Sequence, residues 1–445
     1  MTDTNFITTK KSNSAGILIP GTISFALLLL IPVITLITLS VSGDLESFIH
    51  IATNVMPSAG STTILLMIGV GLFVAIVGTI TAWLVTYFDF PLRKSLQWLL
   101  VLPLAVPTYI SAYTFVEFFS YTGPPQELIR WIGGYTSSRE YWFPEIRSLG
   151  GTVFVLGLVL YPYVYLSVRT LLLLQGTNIS DSARVLGKNG IGLFFSITVP
   201  LVRPAIVLGV TLALMETIND IGAVEYLGTK TLTFSVFSVW LNQNDLAGAA
   251  QIAIFLLLIV IGLILIEHRS RGARRFHDLR SNTKKTLVRT RLTGKHAIIA
   301  LVVTVLPVII GFGVPIAVLI KFAAKDLGDL LNPDLLEALF TTSLLGIFAA
   351  ILAVIGGFLL SYAIHKKPSR VVRTMVRFST VGYSIPGTLI ALGVFIPLAL
   401  FDNSLDAMMR QYLGISTGLL LTGSGFALVF AYVVRFMAMA EGSLE

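Results

Sequence analysis

Ten long apolar runs alternate with short polar stretches along this chain, near 17–42, 59–87, 97–120, 151–175, 200–219, 248–267, 296–321, 338–364, 378–401 and 416–440. Each is near the ~20 residues that an α-helix needs to cross about 30 Å of hydrocarbon. Such runs must be helical, because lipid offers no partner to a free amide or carbonyl. The pattern therefore predicts an all-α polytopic membrane protein. The first run follows Lys10 and Lys11, as a secretory leader would. It has more than 20 apolar residues and no small-residue cleavage site, so it reads as a retained span.

Composition agrees: 55% of the 445 residues are hydrophobic and 12% are charged, which excludes a soluble domain. The net charge of +8 would suit nucleic acid if it formed one patch, but the basic residues sit in every second loop. Arg93 and Lys94 stand in one such loop. Arg269, Arg271, Arg274, Arg275, Arg280, Lys284, Lys285, Arg289, Arg291 and Lys295 stand in the next, and Lys366, Lys367, Arg370, Arg373 and Arg377 in the last. Cytoplasmic loops carry such an excess, so the N-terminal tail 1–16 is placed inside and the loops Gly43–Ser58, Thr122–Gly150 and Lys325–Glu337 outside. Membrane lipid and a cytoplasmic protein are the expected neighbours, with no nucleic acid. Cysteine is absent, and the histidines His50, His268, His277, His296 and His365 are scattered, so no resident metal site is expected.

The chain repeats itself. Thr62-Thr63 and Leu65-Leu66 match Thr341-Thr342 and Leu344-Leu345, and the same offset pairs Ile68 with Ile347, Gly78 with Gly357, Pro107 with Pro386 and Ala112 with Ala391. Further on, Tyr163-Val164 pairs with Tyr432-Val433. The reading is of two parallel repeats related by an axis along the membrane normal. The first unit is 17–267, followed by a basic linker 268–295 and a second unit 296–445, with six spans and four spans respectively. By the repeat, a complete second unit would run on past Glu445 through another loop and two more spans.

Between the fourth and fifth runs, segment 178–200 holds Asp181-Ser182-Ala183, then Gly187, Ile197 and Pro200. Asn178, Ser180 and Asp181 suit a helix start, Gly187 permits a turn, and Pro200 suits the first turn of the next helix. This spacing resembles the Glu-Ala-Ala loop of the inner-membrane permeases of ATP-binding-cassette importers. Asp181 stands for Glu, Ser182 for the first Ala and Val199 for Leu, while Ala183, Gly187, Ile197 and Pro200 keep register. The resemblance implies the type I importer permease fold, a bacterial inner-membrane location, and coupling of this loop to a dimeric ATP-hydrolysing subunit. It also implies a periplasmic binding protein on the outside. The chain holds no Gly-x-x-x-x-Gly-Lys-Ser/Thr loop, so it is read as no enzyme and as binding no cofactor; ATP would be used by the partner.

After the loop come Glu216, Asn219, Asp220, Gly222, Glu225, Tyr226 and Gly228, a segment that resembles the fused two-unit ferric iron permeases. Permeases for sulfate, polyamines and phosphonates share parts of it. On a continuous helix Glu216 and Asp220 would lie on one face. With Glu225, Tyr226 and Glu117 they would offer hard oxygen donors suited to Fe³⁺ along a substrate pathway. Alternatively, they cap the outer end of the fifth span. A membrane scaffold that recruits a partner without transport is the remaining class.

Overall fold

A chain that must satisfy its own amides in lipid closes them in helices, and the computed structural model is built almost wholly of them. It describes residues 14–175, 192, 194–272, 289–325, 328, 332–366, 369–379 and 381–444. Among these, eight helices are long and apolar enough to cross a membrane, or nine if one bent pair is a single span.

Packing sorts the chain into two units, 44–330 and 1–43 with 331–445. This grouping differs from the repeat boundaries 17–267 and 296–445. The helix before Gly43 belongs with the C-terminal segment, and the helix that opens the second repeat belongs with 44–330.

In the unit 44–330, helix α2 (Leu45–His50) runs through a π turn (Ile51–Val55) into α3 (Met56–Tyr87). The expected external loop Gly43–Ser58 is thus mostly helix. Then follow α4 (Arg93–Leu99), α5 (Thr108–Phe118), α6 (Pro124–Gly133) and α7 (Leu149–Gln175). Beyond a π turn at Phe194–Thr198 lie α8 (Val199–Asn219), α9 (Ile221–Tyr226), α10 (Leu232–Leu241) and α11 (Leu246–Gly272). The unit ends with α12 (Gly294–Val308), a π turn and α13 (Val314–Ala323). Its core gathers Val70 and Val74 of α3, Leu156, Tyr161, Val164 and Tyr165 of α7, and Val202 and Ala213 of α8.

Two glycines let these helices touch backbone to backbone. A Cβ on Gly78 would lie 2.9 Å from the Tyr161 carbonyl oxygen, and one on Gly209 would lie 2.5 Å from Val164 Cα. One turn of α7 is therefore held between α3 and α8. Small residues serve helix association in lipid in this way, where apolar burial gives no drive.

The expected third span, 97–120, is not one straight helix. Arg93–Ala105 and Thr108–Phe118 meet at 94°. Pro107 disfavours helical backbone at Val106, which is extended at φ −96°, ψ 120°.

The other unit contains α1 (Ser14–Ser42), α14 (Pro333–Lys366), α15 (Arg370–Ser379), α16 (Gly387–Leu413) and α17 (Phe426–Gly442). Helix α1 packs along α15 and α16, and Gly393 of α16 meets the Pro32 carbonyl of α1. The expected tenth span, 416–440, is shorter than read, since its helix holds 17 residues. The loop before it is held out of helix by two carboxylates on α16. Asp402 accepts the amides of Leu421 (3.0 Å) and Thr422 (2.9 Å), and Asp406 accepts those of Thr417 (2.7 Å) and Gly418 (3.0 Å).

Element boundaries recur at the offset that pairs Thr62 with Thr341. A 3₁₀ turn occupies Leu102–Ala105 and again Val381–Ser384. Pro107 precedes α5 with φ −54°, ψ 139°, and Pro386 precedes α16 with φ −52°, ψ 139°. Thr63 has a visible use: its hydroxyl donates to Ala59 O (2.7 Å) and accepts the Leu232 amide (2.9 Å), so it ties α10 to α3.

Candidate functional site

Two helix breaks meet in the unit 44–330. One is the bend at Val106–Pro107, after which α5 begins. The other is at Asp220, where extended backbone (φ −87°, ψ 91°) separates α8 from the short α9. The Asp220 Oδ1 accepts the Ala223 amide at 2.9 Å, which starts α9. Its Oδ2 is buried and makes no hydrogen bond of full geometry among the described residues, although the Thr108 hydroxyl at the start of α5 acts on this carboxylate, and a Cβ on Gly222 would touch Tyr109 of α5 at 3.0 Å.

The segment after α9 is fixed from several sides by hydroxyls. Thr152 of α7 and Thr229 lie 2.5 Å apart, and Thr233 Oγ1 donates to the Ile218 carbonyl at 2.7 Å. Gly228 takes φ +69°, a left-handed conformation that favours glycine. The break is therefore a held structure: short polar side chains satisfy the groups that the interrupted helix leaves open.

An aromatic and cationic cluster borders the break. The Tyr113 ring lies 5.8 Å from that of Tyr226 and 5.9 Å from that of Phe322. The Arg147 guanidinium stands 5.2 Å from the Tyr226 ring, and Lys325 Nζ 5.9 Å from that of Phe322. Tyr109 and Tyr113 are both exposed, and with Glu117 they follow i, i+4 spacing along α5, so they share a face.

The sequence-predicted pathway residues thus separate. Asp220 and Tyr226 meet α5, Glu225 is exposed on α9, and Glu117 is half-buried on α5. Glu216 is half-buried on α8, but α8 stops at Asn219, so the continuous helix that would align Glu216 with Asp220 is absent. Asp220 does act as a helix cap, at the start of α9. Tyr109, Tyr113, Arg147 and Phe322 were not picked out from the sequence. The i, i+4 spacing of Tyr109, Tyr113 and Glu117 was the available signal. Among the described residues no group of three or more His, Cys, Asp or Glu is placed to hold a metal ion.

Of the expected coupling loop, Asp181, Ser182, Ala183 and Gly187 lie outside the described residues, as does much of the linker 268–295. Ile197 is half-buried in the π turn before α8, and Pro200 stands exposed in the first turn of α8. Phe194, in the same π turn, packs on Trp83 of α3 with ring centroids 4.7 Å apart. The end of the loop is thereby seated on the last turns of α3.

Residues 74–275 match the family described as binding-protein-dependent transport system inner membrane component. The Fe(3+)-transport system permease protein FbpB 2 of Haemophilus influenzae is 23% identical over 391 residues, which cover 86% of this chain and 69% of that protein. The sulfate transport system permease proteins CysW and CysT of Escherichia coli are 29% identical over 194 residues and 26% identical over 235. Those alignments cover 42% and 51% of this chain, and 64% and 81% of the relatives. Residues 74–275 thus form a domain of the inner-membrane permease type found in binding-protein-dependent, ATP-binding-cassette transport systems.

Proposed function

We propose that this chain is the permease of an importer that receives ferric iron from a soluble periplasmic binding protein and releases it into the cytoplasm by alternating access. The observation that carries the iron reading is the extent of similarity. The alignment with the Haemophilus Fe(3+) permease spans 86% of this chain, whereas those with the Escherichia coli sulfate permeases span 42% and 51%. The oxygen-rich border of the helix breaks supports it, since phenols and carboxylates of Tyr109, Tyr113, Tyr226, Glu225 and Asp220 suit a hard trivalent cation.

In this reading the loop 178–200, with Asp181, Ser182, Ala183, Gly187, Ile197 and Pro200, docks on a dimeric ATPase that carries out the nucleotide chemistry. The N-terminus then lies in the cytoplasm of a bacterial cell, and the loop Thr122–Gly150 faces the binding protein. The 94° bend beside Pro107 is a natural place for the membrane helices to change angle, because Pro107 leaves the backbone there without its helical hydrogen bond.

Sulfate import is the second reading, favoured by Arg147 beside Tyr226 and by the sulfate relatives. A guanidinium attracts an oxyanion that carboxylates would repel. Uptake of labelled ferric iron and labelled sulfate, in cells that lack their own importers and are supplied with the partner ATPase and binding protein, separates the two. Iron uptake without sulfate uptake supports the proposal. Sulfate uptake alone replaces it, and ATPase binding with neither uptake leaves a permease for a polyamine or phosphonate, or a scaffold.

A further inference from the structure

A second polar cluster lies away from the helix breaks, at the end of the unit 44–330 where α3 and α7 finish and α12 begins. Its centre is Arg93, buried at 7% exposure. Arg93 donates through Nε to Asp89 Oδ1 and through Nη1 to the Val85 carbonyl, both at 3.3 Å. Arg169 of α7 donates to Gln97 Oε1 at 2.9 Å, and Tyr165 donates to the Gln97 carbonyl at 2.8 Å. Arg289 is brought to the same place by a short parallel ladder that pairs Phe88 with Thr290 and Asp89 with Arg291. The Leu292 amide bonds Asp89 O at 2.9 Å, which fixes the ladder.

Charge does not balance here. Arg93, Arg169 and Asp89 are the charged neighbours that act on Arg289, so three guanidiniums face one carboxylate. Asp89 already bonds Arg93 and is 55% exposed. The Arg289 Nε is buried with no acceptor among the described residues. Burial first, and then the nearby positive charge of Arg93, push the Arg289 pKa below its usual value. A buried N–H without an acceptor leaves its desolvation uncompensated, and like charges held together raise that burden. An anion seated among the guanidiniums would relieve both.

The fold itself does not require these charges. At the register that pairs Thr62 with Thr341, Arg93 corresponds to Val372 and Gln97 to Val376, which are 1% and 3% exposed. At the register that pairs Tyr163 with Tyr432, Tyr165 corresponds to Val434, which is 1% exposed, and Arg169 to Ala438. The same positions are thus filled by small apolar side chains in the other unit. The surroundings are those of a membrane edge. Leu92, just before α4, and Trp98, in its last turn, are 64% and 71% exposed, as interfacial anchors are, and Lys94 is exposed beside them.

We propose that Arg93, Arg169 and Arg289 form a binding site for a phosphate-bearing anion at the membrane edge, either the headgroup of an anionic phospholipid or free phosphate. Guanidiniums pair phosphate oxygens by parallel N–H bonds, and basic pockets between membrane helices are known seats for acidic headgroups. The cluster shares no residue with the border of the helix breaks described above.

The test uses the full chain, purified in detergent, with phosphatidylglycerol, phosphatidylcholine or sodium phosphate added, read by thermal unfolding and by native mass spectrometry. Arg289→Gln and Arg169→Gln are compared with wild type, and Arg370→Gln, an exposed arginine on α15, is the control. Phosphatidylglycerol is expected to raise the unfolding temperature above that in phosphatidylcholine for wild type and control. Its retention should fall about fivefold with each arginine removed from the site. Equal stabilisation by sodium phosphate, lost in the same variants, assigns the site to free phosphate. If neither anion stabilises wild type, or if both site variants keep the full preference, the proposal is overturned.

Discussion

Replacing Asp220 separates a carboxylate that caps a helix from one that also faces the solute. The cap is a single bond, Asp220 Oδ1 to the Ala223 amide at 2.9 Å. Asparagine caps as well as aspartate, whereas alanine at such a position costs about 1 kcal/mol, within a range of about 0.5–2. The Oδ2 makes no hydrogen bond of full geometry, and the Thr108 hydroxyl that acts on this carboxylate offsets only part of its burial, so removing it costs little beyond the cap. Asp220→Asn should therefore leave stability within about 0.5 kcal/mol of wild type, and Asp220→Ala should lower it by about 1 kcal/mol or less. Uptake should behave differently. If the carboxylate meets a ferric ion on its way, Asp220→Asn should slow iron uptake at least tenfold, which is about 1.4 kcal/mol, with no loss of thermal stability. The assay is the initial rate of labelled iron uptake beside thermal unfolding of the same preparations. Wild-type uptake by Asp220→Asn would refute the pathway role and leave Asp220 as the cap of α9 alone.

Other outcomes follow from the packing and the loops. Gly78→Ala and Gly209→Ala should each destabilise the protein by about 1–3 kcal/mol through overpacking, less the ~0.5–1 kcal/mol that alanine returns in a helix. Gly60→Ala, whose Cβ would meet only Phe255 at 3.9 Å, should not, and equal melting of all three would contradict the described contacts. Asp402→Ala should open the loop before α17 to protease while membrane insertion persists, because the Leu421 and Thr422 amides lose their acceptor. Glu140 bonds the Thr136 amide at 2.8 Å, and that bond is the first cause of a pKa below the usual 4.5. Its contribution is present above that pH and is lost as pH falls through the lowered folded value, so the Thr136 amide resonance should titrate with a midpoint under 4.5. Tyr226→Leu should free Arg147 from its ring contact and reduce uptake more than Tyr226→Phe, measured with labelled substrate.

Hydrophobic run length made most spans legible, because lipid enforces helix wherever a run is apolar enough. What it could not give was the course of the chain inside a run. Segment 97–120 has the composition of a span, yet it turns through 94° where Pro107 holds Val106 extended. Segment 416–440 is apolar enough on average, but Asp402 and Asp406, more than ten residues upstream, draw its first amides out of helix. The cap at Asp220 was weighed from its residue type, while Tyr113, Arg147 and Phe322 come together from three distant segments, a proximity that local spacing does not encode. Arg93 and Arg289 were read as members of separate topogenic loops, and Arg169, inside the apolar run 151–175, was not singled out, for the same reason. The grouping of α1 with the C-terminal segment also lay beyond a repeat-based reading, since sequence register compares positions and is silent on packing partners.

That grouping bears on synthesis. Helix α1 leaves the ribosome well before its partners, since the residues it packs with in its unit begin at Leu331, roughly 290 residues later, a delay of tens of seconds at about 5–20 residues per second. Throughout that interval α1 must reside in the bilayer without its final neighbours. Its span Pro20–Ser42, with a hydropathy of 2.5 and no Asp, Glu, Lys or Arg, can do so in lipid alone. Small-residue notches such as Gly393 then serve a late docking step. The nascent chain is thereby committed to holding one helix in reserve until nearly all of the described protein has been made.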